Sequence, residues 1–187
     1  MTRKLIYSMT VSLDGFIAGP GGDIGWSVPD EELHRFHNER VRQVGVELYG
    51  RRLYQVMRFW ETAEERPSVS DYELEFARIW KATPKVVFSR TLDHVEDYAR
   101  LVSDNAVEEV ARMKEEPGKD LAVGGAGLAS TFIKADLVDE YQLFVSPVVL
   151  GRGTPYFPAL DERIGLELVE TRTFGSRVVY IRYRRAP

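Results

Sequence analysis

The sequence predicts a single α/β domain over residues 1–187, with a mostly parallel central sheet and helices on both of its faces. Short apolar runs alternate with amphipathic segments over the first two-thirds of the chain, and only strand-like runs follow them. Glycines stand at several points where an apolar run meets a helical segment. Alternating strands and helices build a parallel sheet, and the final pair of strands predicts an antiparallel C-terminal hairpin.

The chain opens with a predicted strand, a loop and a helix. Residues 4–11 (KLIYSMTV) have the composition of a strand. Residues 13–28 form a glycine-rich loop, in which four glycines and one proline fall within eight residues. Residues 29–44 are predicted as a helix because their apolar side chains recur at helical spacing, and Ser27 is the predicted N-cap.

The middle of the chain contains three predicted strands and two predicted helices. The strands are residues 46–49, 85–88 and 99–102. The first helix, residues 51–59, follows a turn at Gly50. The second helix, residues 71–81, stops ahead of Pro84, because the residue before a proline avoids helical geometry.

A strand, a glycine turn and a helix follow in close succession. Residues 105–114 are predicted as a helix that Pro117 and Gly118 terminate. Residues 121–123 are a short buried strand, and residues 128–135 form the helix after the glycines.

Three strands complete the predicted sheet. Residues 139–149 are a long strand with Pro147 at a bulge or at a position without a sheet hydrogen bond. Residues 166–174 and 177–184 are joined by a two-residue hairpin turn at Gly175-Ser176.

Composition restricts the class of protein. The chain has no cysteine, so it has no disulfide, thiol nucleophile or thiolate metal site. No apolar run approaches the length of a membrane span, and no signal-peptide pattern precedes the first strand. A net charge of −4 argues against a nucleic-acid partner. We expect a cytoplasmic protein without a membrane or nucleic-acid partner.

The segment LAVGGAGLASTF, residues 121–132, is the strongest functional signal. An apolar strand leads through Gly124, Gly125, Ala126 and Gly127 into a helix. Such a junction leaves backbone N–H groups unpaired at the positive end of a helix, which favours a phosphate or pyrophosphate. The segment lacks the Lys-Ser/Thr ending of a P-loop and the G-x-G-x-x-G spacing, so a plain turn that requires positive φ is the alternative.

Two other predicted strand ends carry groups that bind anions. They are Gly50-Arg51-Arg52-Leu53 and Ser89-Arg90-Thr91. Guanidinium groups form bidentate, charge-assisted bonds to phosphates, and the ligands of open α/β sheets lie at the carboxyl ends of the strands. Together with the glycine turn, these junctions predict a dinucleotide with two separated phosphate groups, and NADPH fits this description. Taken singly, each arginine is better explained as a solvated surface residue.

Five segments, in this order, resemble the dihydrofolate-reductase-like superfamily. The segments are SMTVSLDGFIAGPGGDIGW, LYGRRLYQV, VVFSRTL, LAVGGAGLASTFI and FVSPVVLGRGTPYFP. More closely, the chain resembles the reductase domain of the bifunctional riboflavin-biosynthesis deaminase-reductase. The resemblance spans nearly the whole chain and implies a three-layer dihydrofolate-reductase-like fold.

The resemblance also implies where NADPH would bind. It places the pyrophosphate on Gly124, Gly125, Ala126, Gly127 and Leu128. It places the adenosine end and its 2′-phosphate near Gly50, Arg51, Arg52, Leu53, Ser89, Arg90 and Thr91. The nicotinamide would be flanked by Thr10, Ile17 and Ala18.

On the substrate side, the resemblance implies Trp26 and Phe36 as pocket residues. Dihydrofolate reductases carry a buried acid on the helix after the loop, and Glu32 matches it by its spacing to Phe36. Counting back from Gly50 points near His34 instead. Asp30, Glu31 and Glu32 are better explained as surface charges that complement the helix dipole.

Asp14 is the second candidate acid, although it precedes Gly15 and can simply shape a turn. The three histidines have no metal-ligand spacing, so no metal is predicted.

The predicted function is NADPH-dependent hydride transfer to a small heterocycle of the pterin or dihydrofolate type. One alternative is a riboflavin-type reductase acting on a ribosylamino-pyrimidine phosphate. Others are a non-catalytic NADP(H)-binding protein and a structural domain that binds no nucleotide. By analogy with relatives, we expect a homodimer.

Overall fold

The computed structural model describes residues 2–187 and contains ten strands and five α-helices. The strands are β1 (Leu5–Ser12), β2 (Phe16–Ala18), β3 (Val44–Gly50), β4 (Lys85–Phe88), β5 (Ala99–Val102), β6 (Asp120–Gly124), β7 (Glu140–Ser146), β8 (Thr154–Pro155), β9 (Leu166–Thr173) and β10 (Val179–Arg185). The helices are α1 (Glu31–Val41), α2 (Arg51–Met57), α3 (Asp71–Ala82), α4 (Ala106–Glu115) and α5 (Ala126–Lys134). A 3₁₀ segment, Arg58–Glu65, continues α2.

Eight strands form one sheet in the order β5-β4-β3-β6-β1-β7-β10-β9. The six strands from β5 to β7 are parallel to their neighbours, whereas β10 is antiparallel to both β7 and β9. The predicted mostly parallel sheet with an antiparallel C-terminal hairpin is confirmed. Within residues 2–187, no helix combines the length and the apolarity needed to cross a bilayer.

The side chains of β1 project from both faces of the sheet, and each face packs against a different set of helices. Leu5, Tyr7 and Val11 belong to the main core, which includes residues of α4 and α5 such as Met113 and Phe132. The alternate residues of β1 point to the opposite face, because successive side chains of a strand project to opposite sides. That second face is covered by α1, α2 and α3, and it contains the cavity described below.

The start of α1 differs from the prediction. The helix begins at Glu31, and the Asp30 carboxylate accepts a hydrogen bond from the Leu33 backbone N–H at 2.9 Å. Ser27, the predicted N-cap, ends a separate 3₁₀ turn and donates its hydroxyl to the Ile24 carbonyl. The prediction of Ser27 was therefore wrong, because an N-cap must directly precede the first helical residue.

The C-terminal strands also differ from the prediction in their connections. The N–H of Phe174 bonds to the carbonyl of Val178, which closes a three-residue loop rather than the predicted two-residue turn. Arg177 takes the left-handed conformation in this loop, with φ +65°. The strand predicted over residues 139–149 is shorter in the structure, because β7 ends at Ser146 and Pro147 lies outside the sheet.

Two buried tyrosines attach the segment after β8 to the first strand. The rings of Tyr7 and Tyr156 stack with centroids 4.1 Å apart. The Tyr156 hydroxyl donates to the Tyr7 carbonyl at 2.9 Å, and the Tyr7 hydroxyl donates to the Tyr156 carbonyl at 3.2 Å. This reciprocal pair fixes β8, which pairs with β2 beside the carboxyl end of β1.

Tyr156→Phe is expected to lower the free energy of unfolding by about 1–2 kcal/mol, because the Tyr7 carbonyl loses a buried partner. The measurement is urea unfolding at neutral pH. Tyr72→Phe is the matched control, since Tyr72 is only partly buried and its hydroxyl makes no comparable bond within residues 2–187. Equal stability of Tyr156→Phe and the control would show that the hydrogen bond contributes nothing.

Candidate active site at the carboxyl rim of the sheet

The three junctions that the sequence singles out lie side by side in the structure. They follow β4, β3 and β6, which are neighbouring parallel strands, so all three junctions stand at the carboxyl rim of one sheet. Side chains connect them: the guanidinium of Arg51 donates to the Thr91 hydroxyl at 3.0 Å. Leu53 of α2 packs against the glycines after β6.

The glycine turn after β6 has the geometry of an anion cradle. Gly125 adopts φ +87° and ψ 126°, a backbone conformation that favours glycine. It precedes α5, whose first turn donates no hydrogen bond to a capping side chain. The N–H groups of Ala126, Gly127 and Leu128 therefore lack helical partners and stand at the positive end of the helix.

The close approach of the two junctions requires Gly124 in particular. A Cβ atom at Gly124 would overlap the Leu53 Cδ2 atom, whereas a Cβ at Gly127 would meet nothing within 4 Å. Gly50 lies on the same side, where a Cβ would come within 3.8 Å of Leu128. The turn is thus packed tightly on the side of α2 and open at Gly127.

The junction after β4 is held by a hydroxyl turn. The Ser89 hydroxyl accepts hydrogen bonds from the N–H groups of Thr91 and Leu92, at 3.2 and 3.1 Å. The side chain of Arg90 is 84% exposed and its guanidinium lies 3.7 Å from the Asp104 carboxylate. Arg52, in the first turn of α2, is also exposed. Both cations are accessible to a ligand at the rim.

A cavity of about 400 Å³ lies between the sheet and the helices α1, α2 and α3. Several predicted cofactor residues line it, and they come from three different parts of the chain. These residues are Thr10, Ile17, Leu53 and Gly124. The cavity therefore begins at the same rim as the glycine turn and runs across the face of the sheet that α1 covers.

Ala18 and the two predicted pocket residues do not line this cavity. Ala18 belongs to β2, and its carbonyl packs against Gly153. Trp26 is half-buried in the loop before α1, where its indole N–H donates to the Asp23 carbonyl at 3.1 Å. Phe36 lies in a separate apolar cluster with Phe144, and its ring is 6.1 Å from that of Phe144.

The candidate acid Glu32 faces the C-terminal hairpin rather than the cavity. It accepts a hydrogen bond from the Gly175 N–H at 3.1 Å and another from Arg172 at 3.0 Å. These bonds, the backbone one foremost, lower the pKa of the Glu32 carboxyl. Glu32 is therefore not the buried acid that was expected. Its carboxylate is exposed to solvent, lies at the hairpin, and is ionised at neutral pH, so it has no proton to donate.

The second candidate acid, Asp14, connects two loops. It accepts hydrogen bonds from the Ser12 hydroxyl and the Gly151 N–H, both at 2.7 Å, and from the Leu150 N–H at 3.1 Å. The Ser12 bond contributes most to lowering the pKa of this carboxyl. Asp14 is outside the cavity and fixes the loop before β2 to the loop after β7.

Glu47 and His37 are among the titratable cavity residues that sequence reasoning missed. Glu47 lies in the middle of β3 and is only 6% exposed, and burial raises the pKa of its carboxyl to about 7 against an opposing effect of Lys85. His37 of α1 packs on Phe144, and burial lowers its pKa to about 4, so it is neutral at pH 7. A charged residue inside the otherwise apolar run VGVELYG is the one local signal that marks Glu47.

The far end of the cavity contains an ion-pair network. Glu140 is 1% exposed and accepts hydrogen bonds from Arg182 at 2.7 and 3.0 Å and from Gln142 at 2.7 Å. Burial alone would raise the pKa of Glu140, but these bonds more than offset it, and the pKa is lowered. Within residues 2–187, no group of three or more acidic or histidine side chains is arranged to hold a metal ion.

The strand order, the hairpin and the row of strand–helix junctions at one rim define a dihydrofolate-reductase-like α/β protein. The chain belongs to the RibD C-terminal domain family, and the family model matches residues 3–180. The resemblance inferred from the sequence is therefore confirmed.

Known proteins of similar sequence and structure agree with this assignment. The uncharacterized protein YyaP of Bacillus subtilis (strain 168) is 40% identical over 182 residues, which cover 97% of this chain and 94% of that protein. A putative riboflavin biosynthesis protein from Shewanella sp. PV-4 is 25% identical, with a TM-score of 0.77 and full coverage of both chains. Dihydrofolate reductase from Enterococcus faecalis, complexed with NADP(H) and RAB-propyl, covers both chains fully with a TM-score of 0.66 at 17% identity, which shows the shared fold.

Proposed function

We propose that this chain is a reductase that uses NADPH to transfer a hydride to a small heterocyclic substrate. Membership of the RibD C-terminal domain family supports a reductase of the riboflavin-pathway or dihydrofolate-reductase type. The observation that supports the choice of cofactor is that the junctions after β3, β4 and β6 lie side by side at one rim of the sheet, and that Leu53 and Gly124, from two of them, line the cavity.

The residues at this rim fit the parts of NADPH. The N–H groups that open α5 suit the pyrophosphate, and the positive φ of Gly125 lets the backbone approach it. Arg51, Arg52 and Arg90 are positioned for the 2′-phosphate, since guanidinium groups bind phosphates in a bidentate manner.

The cavity supplies the surroundings for the reaction. NADPH would supply the hydride when bound, and the protein supplies orientation and a site from which water is excluded. Thr10 and Ile17 line the rim end of the cavity, and with Ala18 they are the proposed neighbours of the nicotinamide. The substrate would then occupy the space beneath α1.

A second candidate function is reduction of a ribosylamino-pyrimidine phosphate. The similarity to the Shewanella protein, whose name assigns it to riboflavin biosynthesis, favours this candidate. The two candidates share the cofactor and differ in the substrate. The homodimer and the cytoplasmic location likewise remain proposals.

The function is tested by mixing the purified chain with NADPH and a panel of dihydropterins, aminopyrimidine ribosyl phosphates and carbonyl compounds. Loss of the near-ultraviolet absorbance of NADPH with one class of substrate is the expected result. Tight NADPH binding without turnover would favour a non-catalytic NADP(H)-binding protein. Failure to bind any nicotinamide nucleotide would contradict the proposal.

Arg51→Gln is expected to weaken NADPH binding about tenfold and to leave NADH binding nearly unchanged, because only NADPH carries the 2′-phosphate. Calorimetric titration with both nucleotides measures the effect. Arg78→Gln is the control, since Arg78 is an exposed residue of α3 whose guanidinium lies beside Glu64 rather than at the rim. Equal affinity of the unmodified protein for NADH and NADPH would rule out a role of the three arginines in cofactor choice.

A further inference from the structure

Glu47 is placed on the floor of the cavity by the register of the sheet. It lies in β3 between Lys85 of β4 and Ala122 of β6. Glu47 and Ala122 both line the cavity, as does Tyr49 two residues further along the strand. The carboxyl group is therefore carried by a central strand that is supported on both sides.

The Glu47 carboxyl has no hydrogen-bond or ion-pair partner among the described residues. Its neighbour Lys85 is engaged elsewhere: the ammonium donates to the carbonyls of Trp80 and Thr83, and it lies 4.2 Å from the centre of the Trp80 ring. Lys85 lowers the pKa of Glu47 through space but leaves its oxygens free.

The other charged side chains of the cavity all have partners. Glu140 is bonded to Arg182, and Arg40 donates to the Tyr180 hydroxyl at 2.8 Å. Asp120 accepts a hydrogen bond from the Lys4 N–H at 2.8 Å. Among the charged side chains of the described cavity lining, Glu47 is thus the one without a protein partner, and its oxygens can accept hydrogen bonds from a ligand.

An unpartnered buried carboxyl is costly to a protein unless something else uses it. A carboxyl group that is largely removed from water loses hydration, and without a partner it gains no hydrogen bond in return. The cavity is large enough to bring a ligand to this group, and three carboxyls against two guanidiniums line it. The unpartnered carboxyl on this floor offers acceptor oxygens to hydrogen-bond donors.

We propose that Glu47 selects the ligand by accepting hydrogen bonds from its buried end, which carries adjacent N–H donors, as the edge of an aminopyrimidine does. A carboxylate has two acceptor oxygens, which match two neighbouring N–H groups. The recognition group for the ring therefore stands on the central strand β3 and not on α1, where Glu32 faces the hairpin.

This inference rests on the proposed function only in taking the same cavity as the substrate site. It also restricts the orientation of a ribosyl phosphate substrate. The anionic tail would have to point towards the rim, where Arg51 and Arg52 stand, because the unpartnered group on the floor is itself a carboxyl.

The test compares two small rings as probes, 2,4-diaminopyrimidine and uracil, which differ in whether amino or carbonyl groups flank the ring. Binding to the whole chain is measured above the pKa of about 7 of the Glu47 carboxyl, where this group is ionised, by ligand-observed magnetic resonance or calorimetry. We expect the unmodified protein to prefer the diamine, and Glu47→Gln to lose about 10- to 100-fold of that preference, since a charge-assisted bond becomes a neutral one. Glu47→Gln keeps the shape of the side chain and removes a desolvated acid, so the thermal midpoint is expected to stay or rise.

Asp120→Asn is the matched control, because it removes a carboxyl from the same cavity that already has a partner. We expect this variant to keep the preference for the diamine. If both variants lost the preference for the diamine equally, the cause would be the overall charge of the cavity, and the inference would be overturned. An unchanged preference in Glu47→Gln would overturn it as well.

NADPH titration separates this inference from the proposed function. Glu47→Gln is expected to bind NADPH with unchanged affinity, because Glu47 lies away from the phosphate-binding turn. A chain that binds the diamine through Glu47 but binds no NADPH would contradict the reductase and leave the recognition role standing.

Discussion

Gly125→Val is expected to abolish NADPH binding, with a loss of affinity of about 100-fold or more, because a phosphate held by backbone N–H groups requires open space beside the turn. A Cβ atom at Gly125 would lie 3.7 Å from the Leu53 Cβ, on the side of the turn that faces α2. A branched side chain there would fill the gap between the two junctions. The positive φ also makes any side chain costly, by about 1–3 kcal/mol.

Gly127→Ala is the control for folding in the same turn. A Cβ atom at Gly127 would meet no other atom within 4 Å, and this glycine has no positive φ, so alanine is tolerated there. Thermal unfolding of both variants separates loss of fold from loss of binding. A folded Gly125→Val protein with the affinity of the unmodified chain would place the pyrophosphate elsewhere.

Local patterns were sufficient to predict most of the architecture. Strands β4 and β5 have the predicted bounds, because an apolar run between polar residues carries its own limits. The errors fall where two neighbouring residues compete for one role. Ser27 and Asp30 are both good N-caps, and the choice between them depends on where the helix begins, which tertiary packing decides.

The rim of the site was predictable for the same reason. Each junction is a short stretch of sequence, and parallel strands bring their carboxyl ends to one edge of the sheet. The predicted neighbours Arg51 and Thr91 are in fact joined by a hydrogen bond, although 40 residues separate them in the chain.

The floor of the cavity could not be predicted in this way. Its charged groups come from separate strands, and their proximity depends on register. Glu47 stands opposite Ala122, and Ile6 stands opposite Glu140, and a shift of one residue in either pairing would turn one of these side chains to the other face. A sequence read segment by segment contains no information on that register.

The same dependence on register explains why the sequence singles out Glu32 and not Glu47. Glu32 lies in an accessible acidic helix start, where spacing to Phe36 is easy to count. Glu47 is a single acid in a strand, and its importance depends on what its neighbours do. In the structure, the Glu32 carboxylate accepts hydrogen bonds from Arg172 and Gly175, whereas the Glu47 carboxyl has no partner among the described residues.

Arg182→Met is expected to destabilise the protein by about 3 kcal/mol at pH 7, because it leaves the Glu140 carboxylate buried without its cation. Arg182 is itself only partly exposed. Gln142 at 2.7 Å and Lys4 at 3.6 Å stay beside the carboxylate, so the expected loss lies at the low end for a broken buried ion pair. Urea unfolding at a series of pH values measures the effect.

The pH dependence of that loss follows from the sign of the pKa shift. In the unmodified protein the pKa of Glu140 is lowered by folding, so its contribution to stability is present above the unfolded pKa and is lost as the pH falls through the folded pKa. In Arg182→Met burial dominates and raises the pKa above the unfolded value, so the penalty is largest at neutral pH and fades on acidification. The two proteins should therefore approach each other in stability as the pH falls towards about 4.

Glu140→Gln in the Arg182→Met background removes the unpaired carboxylate. This double variant should regain much of the stability lost at pH 7 and should depend less on pH. A double variant that is as unstable as Arg182→Met alone, with the same pH profile, would show that the cost arises from lost packing of the arginine and not from the buried carboxylate.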